Sequence, residues 1–259
     1  MARAAFFDLD KTLVPGSSLF LLARGLYRRD VFRVRDIVRF GVAQARFRLS
    51  GAEQEEGSRM ARDTTLTFVT GRSQAELRSW GQEIARERII PEVYPGMVHI
   101  VDRHRRAGSQ TFLVTAAPVE LAEIVATALG MTGALGTRGE LDEFGNYTGR
   151  LEGELLHGPA KARAVRALAA ERDIDLAASA AYSDSVNDLP LLEAVGEPHA
   201  VNPDSELAAV AREQGWPLHE LRTRRLAVLI GIPAGLGGAV VFGAGVAVGM
   251  AAARRRAAD

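Results

Sequence analysis

The chain opens on a short apolar run, Ala4-Ala5-Phe6-Phe7, that stops at Asp8. Four apolar residues closed by polar ones predict a buried strand. The run is too short for the apolar core of a secretory signal peptide, so export by that route is not expected. From Ser17 to Ile90 the pattern turns helical. Val31, Val34, Ile37, Val38 and Val42 recur at roughly helical spacing, and no strand is predicted before Ile90. Pro95-Gly96 opens a helix through Arg106 that Gly108 closes. Thr111-Phe112-Leu113-Val114 reads as a second buried strand ending at Thr115, and Pro118 starts the next helix, where its missing N–H costs nothing. Leu135–Leu141 and Thr148–Leu155 predict a β-hairpin turning at Phe144-Gly145-Asn146. A helix from Pro159 to about Arg172, a strand Ala178–Tyr182, a helix Asn187–Val195 and a strand His199-Ala200-Val201 follow. Strands alternating with helices predict an α/β fold whose parallel sheet is covered on both faces. Residues 1–16 and 91–219 then form the core, and residues 17–90 a helical cap inserted after the first strand.

The end of the chain differs in kind. Residues 226–253 contain no charge, and arginines flank them at 222, 224, 225 and at 254–256. A helix of about 20 apolar residues crosses a bilayer core, so this segment is expected to be a transmembrane helix. Its seven glycines and Pro233 are poor helix formers in water but are tolerated in a membrane, where the backbone must pair internally. Gly231-x-x-x-Gly235 and Gly245-x-x-x-Gly249 have the small-residue spacing of packed membrane helices, compatible with a helix-mediated homodimer. The expected arrangement is a single-pass C-terminal anchor with the rest of the chain cytoplasmic. Because arginines flank the span on both sides, the positive-inside rule does not decide its orientation.

Composition changes this picture in two places. The 32 basic and 32 acidic side chains cancel, and a balanced chain is not expected to bind nucleic acid. The absence of cysteine excludes disulfides, thiolate zinc sites and cysteine nucleophiles. Eight arginines between Arg24 and Arg48, mixed with Phe20, Tyr27, Phe32, Phe40 and Phe47, are either an ordinary solvated face or a surface for anionic lipid.

Candidate chemistry gathers where strands end. Asp8-Leu9-Asp10-Lys11-Thr12 follows the first strand, and Ser183-Asp184-Ser185-Val186-Asn187-Asp188 follows a later one. In a parallel sheet these strand ends emerge on one edge, where ligands bind. Asp8, Asp10, Asp184 and Asp188 can therefore converge, and clustered carboxylates call for a cation. A hard divalent ion with oxygen ligands, Mg²⁺ above all, fits. The chain has only two lysines, Lys11 and Lys161, against 30 arginines. A compact ammonium suits a crowded phosphate site better than a planar guanidinium does.

With these motifs in this order, the sequence resembles the haloacid dehalogenase (HAD) superfamily, in the helical-cap branch that includes phosphoserine phosphatase. Asp8-Leu9-Asp10-Lys11-Thr12 is similar to the first motif, Thr115 to the second, Lys161 to the third and Ser183–Asp188 to the fourth, over about residues 4–205. The resemblance implies a Rossmann-like sheet core and a phosphatase. It implies that Asp8 attacks phosphorus and that Asp10 serves as acid and then base. It also implies that Mg²⁺ sits on the Asp8 carboxylate, the Asp10 main-chain carbonyl and Asp184, with Asp188 in support. Thr115 and Lys161 would bind phosphoryl oxygens, and Lys11 and Thr12 would shape the turn. After Thr115 comes Ala116-Ala117-Pro118 where phosphoserine phosphatase is glycine-rich, so the expected substrate is a lipid headgroup phosphate or a small metabolite phosphate such as histidinol phosphate. The competing expectation is a non-catalytic phosphate sensor or scaffold on the same fold.

Overall fold

The computed structural model describes residues 1–28 and 69–221. The arginine-rich residues 29–68 and the apolar segment 226–253 lie outside the described residues. No helix among the described residues is long and apolar enough to cross a membrane.

A six-stranded parallel sheet forms the core, in the order β3-β2-β1-β6-β7-β8. Its strands are β1 (Ala4–Phe7), β2 (Gln110–Pro118), β3 (Gly133–Thr137), β6 (Ala180–Ser183), β7 (Glu197–Val201) and β8 (Leu218–His219). All four residues of β1 are buried, and the period of two sends them alternately to the two faces. Ala4 and Phe6 join a cluster with Phe112, Val114, Ala181 and Val165, the last from helix α5 (Pro159–Glu171). Ala5 and Phe7 join the opposite one with Leu113, Tyr182, Met97 of α3 (Pro95–Arg106) and Leu121 of α4 (Val119–Ala128). Register across the centre is Phe7↔Leu113 on one side and Phe7↔Tyr182 on the other. From β1 the chain winds outward through β2 and β3, then returns to the other side of β1 for β6, β7 and β8. The strand order thus reverses between β1 and β6, the place where such sheets open a crevice at their strand ends.

The insertion after β1 is helical where it is described. Helix α1 (Ser18–Arg28) and helix α2 (Gln74–Ile84) belong to it, α2 capped by the Ser73 hydroxyl on the Glu76 N–H at 3.2 Å. A π turn (Ala85–Ile89) and a 3₁₀ turn (Ile90–Glu92) carry α2 down to the core.

Three expectations need correction. The first arm of the predicted hairpin is two strands. Gly133–Thr137 pairs in parallel with β2, and only β4 (Gly139–Leu141) turns back on β5 (Tyr147–Leu151). A run of small and apolar residues fits either a hairpin arm or a sheet edge, and the sheet's need for a neighbour beside β2 decides. The predicted helix Asn187–Val195 is a 3₁₀ turn (Val186–Asp188) followed by the single turn α6 (Leu189–Leu192), which Pro190 starts. The β2 strand extends to Pro118, so the helix after it begins at Val119. The last core helix is α7 (Ser205–Glu213), capped by Asp204.

Candidate active site

The reversal between β1 and β6 puts Asp8 and Asp184 on neighbouring strand ends. The Asp8 N–H extends the ladder to the Tyr182 carbonyl at 3.0 Å, and the chain then folds into a tight turn. The Leu9 carbonyl accepts from Leu13 and Val14 at 2.9 and 3.1 Å, and Lys11 takes a left-handed φ of 59°. This turn brings the Thr12 hydroxyl back onto Asp8 Oδ2 at 3.2 Å. On the other oxygen, Lys161 Nζ donates to Asp8 Oδ1 at 2.6 Å while also donating to Asp188 Oδ2 at 2.7 Å. Ser183 Oγ adds a 2.7 Å bond to Asp188 Oδ2. Asp8, Thr12, Lys161, Asp184 and Asp188 are all buried.

Lys161 reaches this place from the first turn of α5, which Pro159 opens. Gly158 precedes it at φ 54°, where a Cβ would lie 3.3 Å from the Asn187 carbonyl oxygen, so glycine lets α5 start against the Asp184–Asp188 loop. Asp10 is turned differently. Its Oδ1 accepts from the Ser18 N–H at 2.8 Å, tying the carboxylate to the start of α1. Lys11 is largely exposed, with Nζ 3.9 Å from Asp184 Oδ2. Thr115 is buried in β2, two residues beyond the partner of Phe7, and its hydroxyl accepts locally from the Ala117 N–H at 3.2 Å. The structure thus joins Asp8, Thr12, Lys161 and Asp188 by direct bonds and sets Lys11 beside Asp184. Thr115 stands on the same edge.

Charge in the site is unbalanced. Three buried carboxylates surround one buried ammonium. Burial pushes the Asp8 carboxyl up to about 7, with the Lys161 charge opposing and Asp188 reinforcing. Burial raises Asp184 to about 6, against the pull of Lys11. Burial works against the Lys161 ammonium, but Asp8 and Asp188 more than offset it and hold it above the usual lysine range. Asp188 Oδ1 is buried without a hydrogen-bond partner. An orphaned carboxylate oxygen beside two carboxylates that burial drives toward neutrality is the donor chemistry of a hard divalent cation. No three acidic or histidine side chains among the described residues form a complete ligand cluster by themselves.

Three contributors were not among the expected site residues. Ser183 lies within the quoted motif, whereas Asn202 and Asp204 follow β7 on the same edge. The Asp204 N–H donates to the Asp184 carbonyl at 2.8 Å, and the Asn202 amide donates to the Lys11 carbonyl at 3.3 Å. The strand-end rule that located Asp8 and Asp184 applies equally to the residues after Val201.

Residues 5–193 match the family of haloacid dehalogenase-like hydrolases. The chain belongs to that family. This hydrolase is 45% identical over 256 residues to phosphoserine phosphatase SerB1 of Mycobacterium tuberculosis, covering 99% of this chain and 82% of the relative. It is 32% identical over 225 residues to a histidinol-phosphatase of Neisseria meningitidis, covering 84% and 98%. It is also similar to a solved structure of a protein of unknown function from Bordetella pertussis, with 32% identity, 86% and 100% of the two chains covered, and a TM-score of 0.75. Family and phosphatase relatives together make it a phosphoric monoester hydrolase, not a non-catalytic scaffold.

Proposed function

We propose that this HAD-family phosphatase cleaves a phosphomonoester through an aspartyl-phosphate on Asp8. The observation that carries the reading is the fixed Asp8 carboxylate, buried at the end of the central strand and held by Lys161 at 2.6 Å and Thr12 at 3.2 Å. A carboxylate oxygen of Asp8 forms a bond to phosphorus as the bond from phosphorus to the ester oxygen breaks. Asp10 gives that oxygen its proton. Ser18 engages Oδ1 of Asp10, so the proton is carried on Oδ2. Water then attacks the aspartyl-phosphate while Asp10 takes back a proton, releasing inorganic phosphate and restoring Asp8. Lys161 offsets charge on the phosphoryl oxygens, and Thr115 offers them a hydroxyl. The Asp8 carboxylate, the Asp10 carbonyl and Asp184 would hold Mg²⁺, with Asp188 in support. When bound, the ion neutralises the charge that builds as a phosphate dianion meets a carboxylate.

The relatives' names support a phosphorylated amino acid or amino alcohol as substrate, and an anchor formed by residues 226–253 supports a lipid headgroup phosphate. Both are monoesters of a primary alcohol. The test is hydrolysis by the full-length protein of p-nitrophenyl phosphate, phosphoserine, histidinol phosphate, lysophosphatidate and phosphatidylglycerophosphate, with and without Mg²⁺. Activity is expected only with Mg²⁺, and Asp8→Asn is expected to abolish it. Undiminished turnover in Asp8→Asn would overturn the mechanism.

A further inference from the structure

We propose that Asn202 is a positioning residue, whose side-chain amide fixes the Lys11 carbonyl and so the turn that carries Asp8 and Asp10. The proposal rests on the reading of that turn as the reacting loop.

Asn202 directly follows β7 and is only 3% exposed. Its amide orientation is settled by its partners. Oδ1 accepts from the Leu221 N–H at 2.7 Å, which requires oxygen, and Nδ2 donates to the Lys11 carbonyl at 3.3 Å, which requires NH₂. Its own N–H donates to the His219 carbonyl at 2.8 Å. One side chain thus joins the loop after β1, 191 residues away in sequence, to the chain just after β8.

The backbone at both ends of this bond is unusual. Three non-glycine residues among the described residues have positive φ, namely Lys11 at 59°, Asp173 at 52° and Asn202 at 44°. The bond joins two of the three. Left-handed conformations cost energy in L-residues and persist where the surroundings over-determine them. Asparagine adopts them more readily than most, but lysine has no such advantage. The Lys11 conformation therefore needs an external tie, and its N–H to the Gly16 carbonyl at 3.2 Å supplies only the donor side. The Asn202 amide, donating to the Lys11 carbonyl, ties the acceptor side.

Two residues later Asp204 treats the second acidic loop in the same way. Its N–H holds the Asp184 carbonyl at 2.8 Å, and its Oδ2 accepts from the Val186 N–H at 3.1 Å. Pro203, with its fixed φ, sets the spacing between the two ties. Asn202-Pro203-Asp204 thereby holds both acidic loops against one strand end.

The test uses the full-length protein and two variants. Asn202→Gly removes both side-chain bonds but accepts positive φ without strain. Asn202→Asp keeps the acceptor for Leu221 and turns the donor facing Lys11 into an acceptor. Each is assayed for kcat and KM on p-nitrophenyl phosphate with Mg²⁺, and for hydrogen exchange in peptides covering residues 8–16. Both variants are expected to lose at least about tenfold in kcat with KM within twofold, as small misplacements of reacting groups do. Exchange in residues 8–16 is expected to speed up while β1 and β2 stay protected. Wild-type kcat in Asn202→Asp would overturn the proposal, because the Leu221 bond alone would then suffice. Lost kcat with unchanged exchange in residues 8–16 would overturn it as well. If the wild type hydrolyses none of the phosphomonoesters, the functional reading fails, and the exchange measurement still decides the tie.

Discussion

Lys161 is the residue on which the site's electrostatics turn. It is one of two lysines in the chain, its side chain is 4% exposed, and it lies between the carboxylates of Asp8 and Asp188. Removing one partner of a buried charge pair costs about 3–5 kcal/mol, because the remaining charges are left uncompensated. Lys161→Met, which keeps most of the side-chain volume, is therefore expected to lower unfolding free energy by about that amount in urea titrations at pH 8. A loss below about 1 kcal/mol would mean that the two carboxylates find another cation or shed their charge. The residue could be found in the sequence because lysine is so rare there. The same reasoning also picked out Lys11, which the fold leaves mostly in solvent, 3.9 Å from Asp184. Rarity points to a residue but not to its burial, which depends on the helix start at Pro159 and the loop it meets. Asp10 was legible as one of a pair at a strand end. Its bond to the Ser18 N–H was not, because that depends on where α1 begins.

At the scale of elements, periodicity carried the buried strands and the long helices well and the sheet edge poorly. Ala4–Phe7 and Pro95–Arg106 stand where the pattern put them, because a closed apolar run and a Pro-started helix have few alternatives. Gly133–Thr137 became a sheet strand because its neighbour β2 supplies the pairing that local sequence does not encode. Three of the five histidines pack into one group against the sheet. His199 stacks on Tyr182 with ring centres 4.4 Å apart, His219 lies 3.1 Å from His199 Nδ1, and His104 Nε2 meets the Tyr182 hydroxyl at 2.8 Å. Burial, then the neighbouring His219, His104 and Arg103, lower His199 to about 4, and burial lowers His104 and His219 as well. Glu197 works in the opposite direction on His104. The unfolded chain takes up protons near pH 6.5, so their contribution to stability is complete above that pH and is lost as pH falls toward 4. For His199, discounted for its partial exposure, the loss is about 1 kcal/mol, or about 2–4 °C in a domain of this size. Thermal midpoints between pH 7.5 and 5 should therefore fall less in His199→Phe, which keeps the stacking, than in the wild type. Equal slopes would place the dependence elsewhere, and the comparison cancels the acidic site common to both proteins. A second test concerns the turn before β7. A Cβ at Gly196 would fall onto the Ala177 carbonyl oxygen, which backbone cannot easily vacate. Gly196→Ala should cost about 1–3 kcal/mol in the same titrations, and an unchanged midpoint would show that the two turns can separate.

Over the whole molecule the neutral charge is a sum of unlike parts. Residues 220–259 hold six arginines against Glu220 and Asp259, which leaves residues 1–219 with 26 basic and 30 acidic side chains. The described portion follows from strand ends, a switch point and a few buried charges, whereas the uncharged run at 226–253 lies outside the described residues and is proposed to enter a membrane. Burying such a run in the protein itself would need an apolar surface of matching length, and its seven glycines would weaken a helix in water by roughly 0.8–1 kcal/mol each relative to alanine. In a bilayer those costs fall away, because no water competes for the backbone. The full-length protein is therefore expected to sediment with membranes from lysed cells. Detergent should release it, while 1 M salt or carbonate at pH 11 should not. Release by salt alone would mean that the arginines hold the protein at an anionic surface, since contacts between exposed charges are screened within about 3 Å at that ionic strength. Recovery in the supernatant without detergent would overturn the anchor altogether. The catalytic reading would be untouched, because every residue it uses lies before Arg222.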